Sequence, residues 1–177
     1  MSTVEPGAAT SGLVDRVKSI LLKPSATWDQ IAAEPATVGG LFKSYIIPLS
    51  LIAPVAGLIG SLVFGHGGFG VTFKPSIQGA LISAVVDFAM GLVGVYVLSL
   101  IIDALAPTFG GQKDRLQALK VAAYSGTAAW VAGIFLIFPP LIFLMVLGLY
   151  SFYLLYKGLP RLMKTPQDKA TGYTAAV

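Results

Sequence analysis

"LISAVVDFAMGLVGVYVLSLIID", residues 81–103, decides the class of this chain. It is a near-continuous apolar run with one carboxylate inside it, Asp87, and another at its end, Asp103. A helix needs about 20 such residues to cross a ~30 Å hydrocarbon core. The composition agrees. The 177 residues are 55% hydrophobic and 11% charged, where soluble domains carry roughly 25% charged residues. Mean hydropathy is +0.80. These values predict a chain solvated mainly by lipid.

Working outward, the apolar run extends over 77–105 and is ended by Pro107 and Gly110-Gly111. Upstream, no Lys, Arg, Asp or Glu lies between Lys43 and Lys74, and 44–64 is long enough for another span. Pro48 and Pro54 fall inside it and predict a kinked helix. "GHGGFGVTFKPS" (65–76) reads as the connecting loop. Downstream, 121–156 is apolar but would be about 54 Å long as one helix. Pro139-Pro140 divides it into spans at 116–138 and 141–157.

The expectation is thus an all-α, polytopic helical membrane bundle with four spans, its membrane domain covering 44–157. Residues 1–12 are small and polar and read as a disordered tail, without a signal-peptide pattern. Residues 158–177 form a second polar tail. With the N-terminus inside, the inner segments hold eleven of the twelve basic residues, and the outer loops hold only Lys74. The positive-inside rule therefore predicts a cytoplasmic N-terminus in the inner (plasma) membrane.

Residues 13–43 precede the first span. Leu13, Val14, Val17, Ile20 and Leu21 fall on one helical face, with Arg16 and Lys18 off it. That pattern predicts an amphipathic helix lying in the inner interface. Pro24 breaks it, and 25–33 adds a shorter helix carrying Trp28. Arg16, Lys18 and Trp28 are the expected interfacial anchors.

Candidate chemistry is sparse. Cysteine is absent and His66 is the single histidine, so thiolate, disulfide and clustered-ligand metal chemistry have no residues to work with. "GHGGFG" matches G-x-G-x-x-G but follows no strand and opens no helix of a βαβ unit. No catalytic set, cofactor site, metal site or nucleic-acid face is expected. Asp87 stands out. It lies ~15 Å into its span by helical rise, near the midplane, where an ionised Asp costs ~2.5–3.5 kcal/mol on insertion scales.

Gly79, Ser83, Asp87 and Gly91 recur every four residues, a small-residue ridge that lets another helix approach. Two readings follow for Asp87 and Ser83. One is a polar-core or transport site. The other is a carboxyl hydrogen-bonded to a hydroxyl on a neighbouring helix. Similar rows, Ala53, Gly57, Ser61 and Ala122, Gly126, predict packing faces on spans one and three. Asp103 lies sixteen residues after Asp87, ~24 Å along the axis and ~160° around it. It belongs to the inner end, where an ion pair with Lys120 is expected.

Three stretches carry a family resemblance: "LVDRVKSILLKPSATWDQIAAEPATVGGL", "IIDALAPTFGGQKDRLQALKVAAYSGTAAWVAGIF" and "YLLYKGLPRLMKTPQDKATGY". Together they resemble bacterial members of the Yip (Ypt-interacting protein) family across residues 12–175. The resemblance implies a Yip-type helical membrane domain, a cytoplasmic N-terminus and five spans. Eukaryotic relatives interact with Rab-type GTPases in vesicle traffic, and bacterial relatives lack that machinery. No catalytic residue carries over. Relatives continue after "KTP-x-DKA-x-GY" into a fifth span, whereas "TAAV" follows Tyr173 here. The tail at 158–177 is thus expected to lead toward a fifth span, either cut short in this sequence or absent from the protein, and homo-oligomerisation is left open. The function expected is a non-enzymatic protein that organises or recruits membrane or cytoplasmic partners. The alternative is a small transporter or channel component using Asp87.

Overall fold

The structure, a computed structural model, describes residues 12–68 and 71–177. The tail expected over 1–12 lies outside the described residues except for Gly12. Two short helices come first, α1 (Leu13–Leu22) and α2 (Pro24–Ala33). Lys23 leaves helical geometry between them, and Pro24 then opens α2, where its missing N–H costs nothing. The amphipathic face of α1 is split. Ile20 is fully buried, and Leu13, Val17 and Leu21 pack against the core. Val14 and Leu22 stay exposed. Most of the apolar face expected to meet the interface is thus taken up by protein, and Val14 and Leu22 are the part of it left open.

Among the described residues, four helices are long and apolar enough to cross a membrane. Span one is Val38–Val63, span two Ile77–Phe109, span three Arg115–Ile137 and span four Pro139–Leu162. Spans one and four are longer than the 44–64 and 141–157 expected. Hydropathy marks the stretch in hydrocarbon, while the helices run on into the interface. Thr37 caps span one by accepting from the Gly40 N–H at 3.0 Å. Prolines leave carbonyls without a donor one turn earlier. Span one accordingly has a π-turn at Phe42–Ile46 before Pro48 and a break at Leu51 before Pro54.

Spans three and four are joined through Phe138 alone, held extended (φ −125°, ψ 107°) by the proline that follows it. The first half of span four, Pro139–Leu149, is a 3₁₀-helix in which no residue is buried. Span three is the central helix: every residue from Ala118 to Ser125 is buried. Span two exposes Ile82, Val85, Val86, Met90, Val93 and Val97, and span four exposes Phe143, Val146 and Phe152. These faces are apolar because they meet lipid.

The two ends of the bundle differ. At one end the stretch read as a loop contains a small antiparallel hairpin, β1 (His66–Gly68) and β2 (Val71–Phe73), with His66 opposite Phe73. The side chain of His66 lies outside the described residues. At the other end lie α1, α2, the connection between spans two and three, and the segment after span four, which ends in a short helix, Ala170–Ala176. This is the basic end.

Candidate functional site

At the basic end, the three stretches that carry the family resemblance pack on one another. Trp28 of α2 is fully buried. Its ring fills the space left by Gly158 of span four, where a Cβ would come within 2.7 Å of the indole. It also meets the edge of Tyr124, which in turn tilts against Tyr45 at 4.4 Å. The Thr127 hydroxyl donates to the Tyr124 carbonyl, so the Tyr45 hydroxyl donates to Thr127 at 2.7 Å. The anchor role expected of Trp28 is therefore corrected. Burial against aromatics removes it from the membrane interface. One residue on, Asp29 pairs with Arg161 of span four at 2.8 Å.

Arg16 is corrected in the same way. Its guanidinium binds both carboxylate oxygens of Glu34, at 2.6 and 2.8 Å, which ties α1 to the end of α2. Lys18 is exposed. Lys120 is not paired with Asp103. Its ammonium donates to the carbonyls of Ile31 and Glu34, at 2.9 and 2.6 Å. These carbonyls belong to the C-terminal end of α2, which has no further helical donors and carries partial negative charge. The carbonyls lie on the face of span three that α2 covers, so a 2% exposed Lys120 reaches them instead of a carboxylate on span two. A cleft of about 790 Å³ beside this cluster is lined by Arg16, Glu34, Lys120 and Tyr45.

Asp103 faces the segment after span four. Its Oδ1 is buried without a hydrogen-bond partner among the described residues. Tyr173 is fully buried, stacks on Phe109 at 4.8 Å and donates its hydroxyl proton to the Ile102 carbonyl. Burial first, and the Asp103 charge second, push its phenol above the ordinary value. The Gln112 N–H donates to the Met163 carbonyl, which fastens the connection between spans two and three to the same segment.

The second arrangement lies within the spans. Asp87 and Ser83 of span two line a cavity of about 740 Å³ together with Ser50 and Ser61 of span one and Trp130 of span three. Sequence spacing placed Ser83 and Asp87 on one face, and the tertiary fold adds the other three. Among the described residues neither Asp87 nor Ser83 makes a side-chain hydrogen bond, so the expected carboxyl–hydroxyl contact does not form. The small-residue ridge does not receive a helix either. A Cβ at Gly91 would have nothing within 4 Å. The Ser50 hydroxyl donates to the Ile47 carbonyl at 3.2 Å, and that of Ser61 to the Leu58 carbonyl at 2.9 Å. Both oxygens remain acceptors toward anything that enters. Among the described residues no group of His, Asp and Glu side chains is placed to hold a metal ion.

Sequence reasoning missed Tyr45, Thr127, Gly158, Arg161 and Tyr173. The side-chain bonds that join Tyr45 to Thr127, Arg161 to Asp29 and Tyr173 to Ile102 span 71 to 132 residues, so no local spacing marks them. Only their presence inside the family-bearing stretches, for Arg161, Gly158, Tyr173 and Thr127, could have drawn attention to them.

Comparison with known proteins agrees with this architecture. Residues 18–177 match the Yip1 domain. The chain is 21% identical over 168 residues to the inner membrane protein YohC of Escherichia coli K12, covering 92% of this chain and 86% of that protein. The same protein from E. coli O6:H1 matches equally. No solved structure matches the chain. With four apolar helices in one bundle and a domain match over nearly its whole length, the chain is a multi-pass membrane protein and belongs to the Yip1 family.

Proposed function

We propose that the protein resides in the inner membrane with its N-terminus in the cytoplasm, and that it acts there without catalysis, as an organiser that recruits partners at its basic end. The inner membrane is where the printed name of YohC places that relative. The orientation rests on the basic residues: all but Lys74 lie toward the basic end or its tails. One observation carries the recruitment reading. The family-bearing stretches form one packed, positively charged surface, not three loose segments, so they present a fixed shape to a partner. The partners proposed are the bilayer and a membrane or cytoplasmic protein, a second copy of this chain included.

The test uses exposed residues, because removing α1 and α2 would strip Trp28 from the core. A photo-crosslinker at Lys18 or Lys113 should capture a discrete adduct in intact membranes. Charge reversal at the neighbouring exposed lysines should abolish it. Diffuse or absent adducts from both positions would remove the recruitment reading.

A second reading, a transporter or channel component built on Asp87, is supported by the cavity at that residue. Its test is flux in proteoliposomes. Flux that is unchanged in Asp87→Asn, or absent from the wild type, counts against it.

A further inference from the structure

We infer that the cavity at Asp87 is a binding site for a lipophilic monovalent cation, such as a protonated amine or a quaternary ion on an apolar body. This goes beyond recruitment and deepens the transport reading by naming the ligand class, so it rests on the same cavity. Three features of the lining set the class. The first is size: about 740 Å³ falls among small-molecule sites, which run ~300–1,000 Å³.

The second is charge. Asp87 is the single charged side chain among the described residues that line it. The hydroxyl protons of Ser50 and Ser61 are already held by carbonyls of their own helix. An entering anion would meet a carboxylate and few donors. An entering cation meets a carboxylate and acceptor oxygens. The third is the apolar remainder. Trp130 offers an indole, the aromatic ring best suited to hold a cation. Leu58, Leu136 and Ile142 line the rest.

A small metal ion does not suit this lining. It needs several oxygen ligands, and among the described residues no second carboxylate lines the cavity. A single positive charge spread over an apolar body does suit it. It neutralises Asp87 ten residues into its span, where an unpaired charge is costly, and it sheds little hydration on entry.

The experiment uses the full chain in lipid nanodiscs and two probes of the same shape and opposite charge, tetraphenylphosphonium and tetraphenylborate. The wild type should bind tetraphenylphosphonium saturably, while tetraphenylborate should show only partition into lipid. Asp87→Asn should weaken tetraphenylphosphonium binding at least ~10-fold, as loss of one partner of a desolvated charge pair does. Asp87→Glu should retain it, and Trp130→Leu should weaken it ~3-fold. Equal saturable binding of both probes, saturable binding of neither, or unchanged binding in Asp87→Asn would each overturn the inference. If Asp87→Asn does not fold, the probe pair on the wild type decides alone. Saturable binding without flux would sink transport and leave the ligand class standing. Flux lost in Asp87→Asn without tetraphenylphosphonium binding would do the reverse.

Discussion

Lys120 and Tyr173 show how single side chains close the basic end. Lys120 is buried and spends two of its three protons on the last carbonyls of α2. Replacing it with Met keeps the stem and removes the donors, so those carbonyls lose their partner. Lys120→Met should cost about 1–3 kcal/mol in detergent unfolding, and limited proteolysis should cut first around residues 13–35. A variant as stable and protease-resistant as wild type would mean that the cap contributes nothing.

Tyr173 gives a pH dependence. Burial, with the Asp103 charge adding to it, raises its phenol above the usual value. The folded chain then holds that proton more tightly than the unfolded chain does. Its contribution is complete below the ordinary phenol value, ~10, and is lost as pH rises through the higher folded value. Alkaline titration by phenolate absorbance should therefore show a late-ionising fraction of the seven tyrosines that includes Tyr173, released together with unfolding. Tyr173→Phe should shrink that late fraction by one tyrosine and cost about 1 kcal/mol at neutral pH through the lost bond to Ile102. A late fraction of unchanged amplitude in the variant would show that Tyr173 is not part of it.

At the scale of elements, spans one and three cross where side chains are smallest. A Cβ on Gly60 would lie 2.1 Å from the Leu136 carbonyl oxygen, and one on Gly133 would lie 2.5 Å from Ala53 Cβ. A carbonyl inside a helix cannot give way cheaply. Gly60→Ala should therefore destabilise by about 1–3 kcal/mol through overpacking. Gly91→Ala, with open space around it, should stay within about 0.5 kcal/mol of wild type. Unfolding in mixed micelles compares the two, and equal costs would refute the crossing geometry.

The small-residue rows were legible as spacing, and Ala53 does sit in the contact. Which glycines meet which helix was not legible. The ridge at Gly79, Ser83, Asp87 and Gly91 has the same spacing, and its last three members line a cavity instead. Periodicity specifies a face, and the crossing of the helices decides what that face meets.

At the scale of the whole molecule, α1, the C-terminal helix and the connection between spans two and three share one end, and the hairpin and Phe138 share the other. With no native cysteine, single substitutions report on sidedness cleanly. Ser76→Cys should label from outside and Lys113→Cys from the cytoplasm, with a membrane-impermeant maleimide as reagent. Labelling with the sides exchanged would invert the orientation.

Four spans, the Pro-Pro division at 139–140 and the clustering of basic residues were all present in the sequence. Length, hydropathy and charge act locally, and a bilayer reads them one helix at a time. The partner of Lys120, the burial of Trp28 and the company of Asp87 were not. Each depends on which helices lie side by side, and contacts across 86 or 132 residues leave no mark in local spacing. Sequence alone determined that Asp87 sits deep in a membrane helix beside Ser83. Only the tertiary structure decided that it opens into a cavity with Trp130 and two serines from another span, because a cavity is made by the helices around it and not by the one that carries the charge.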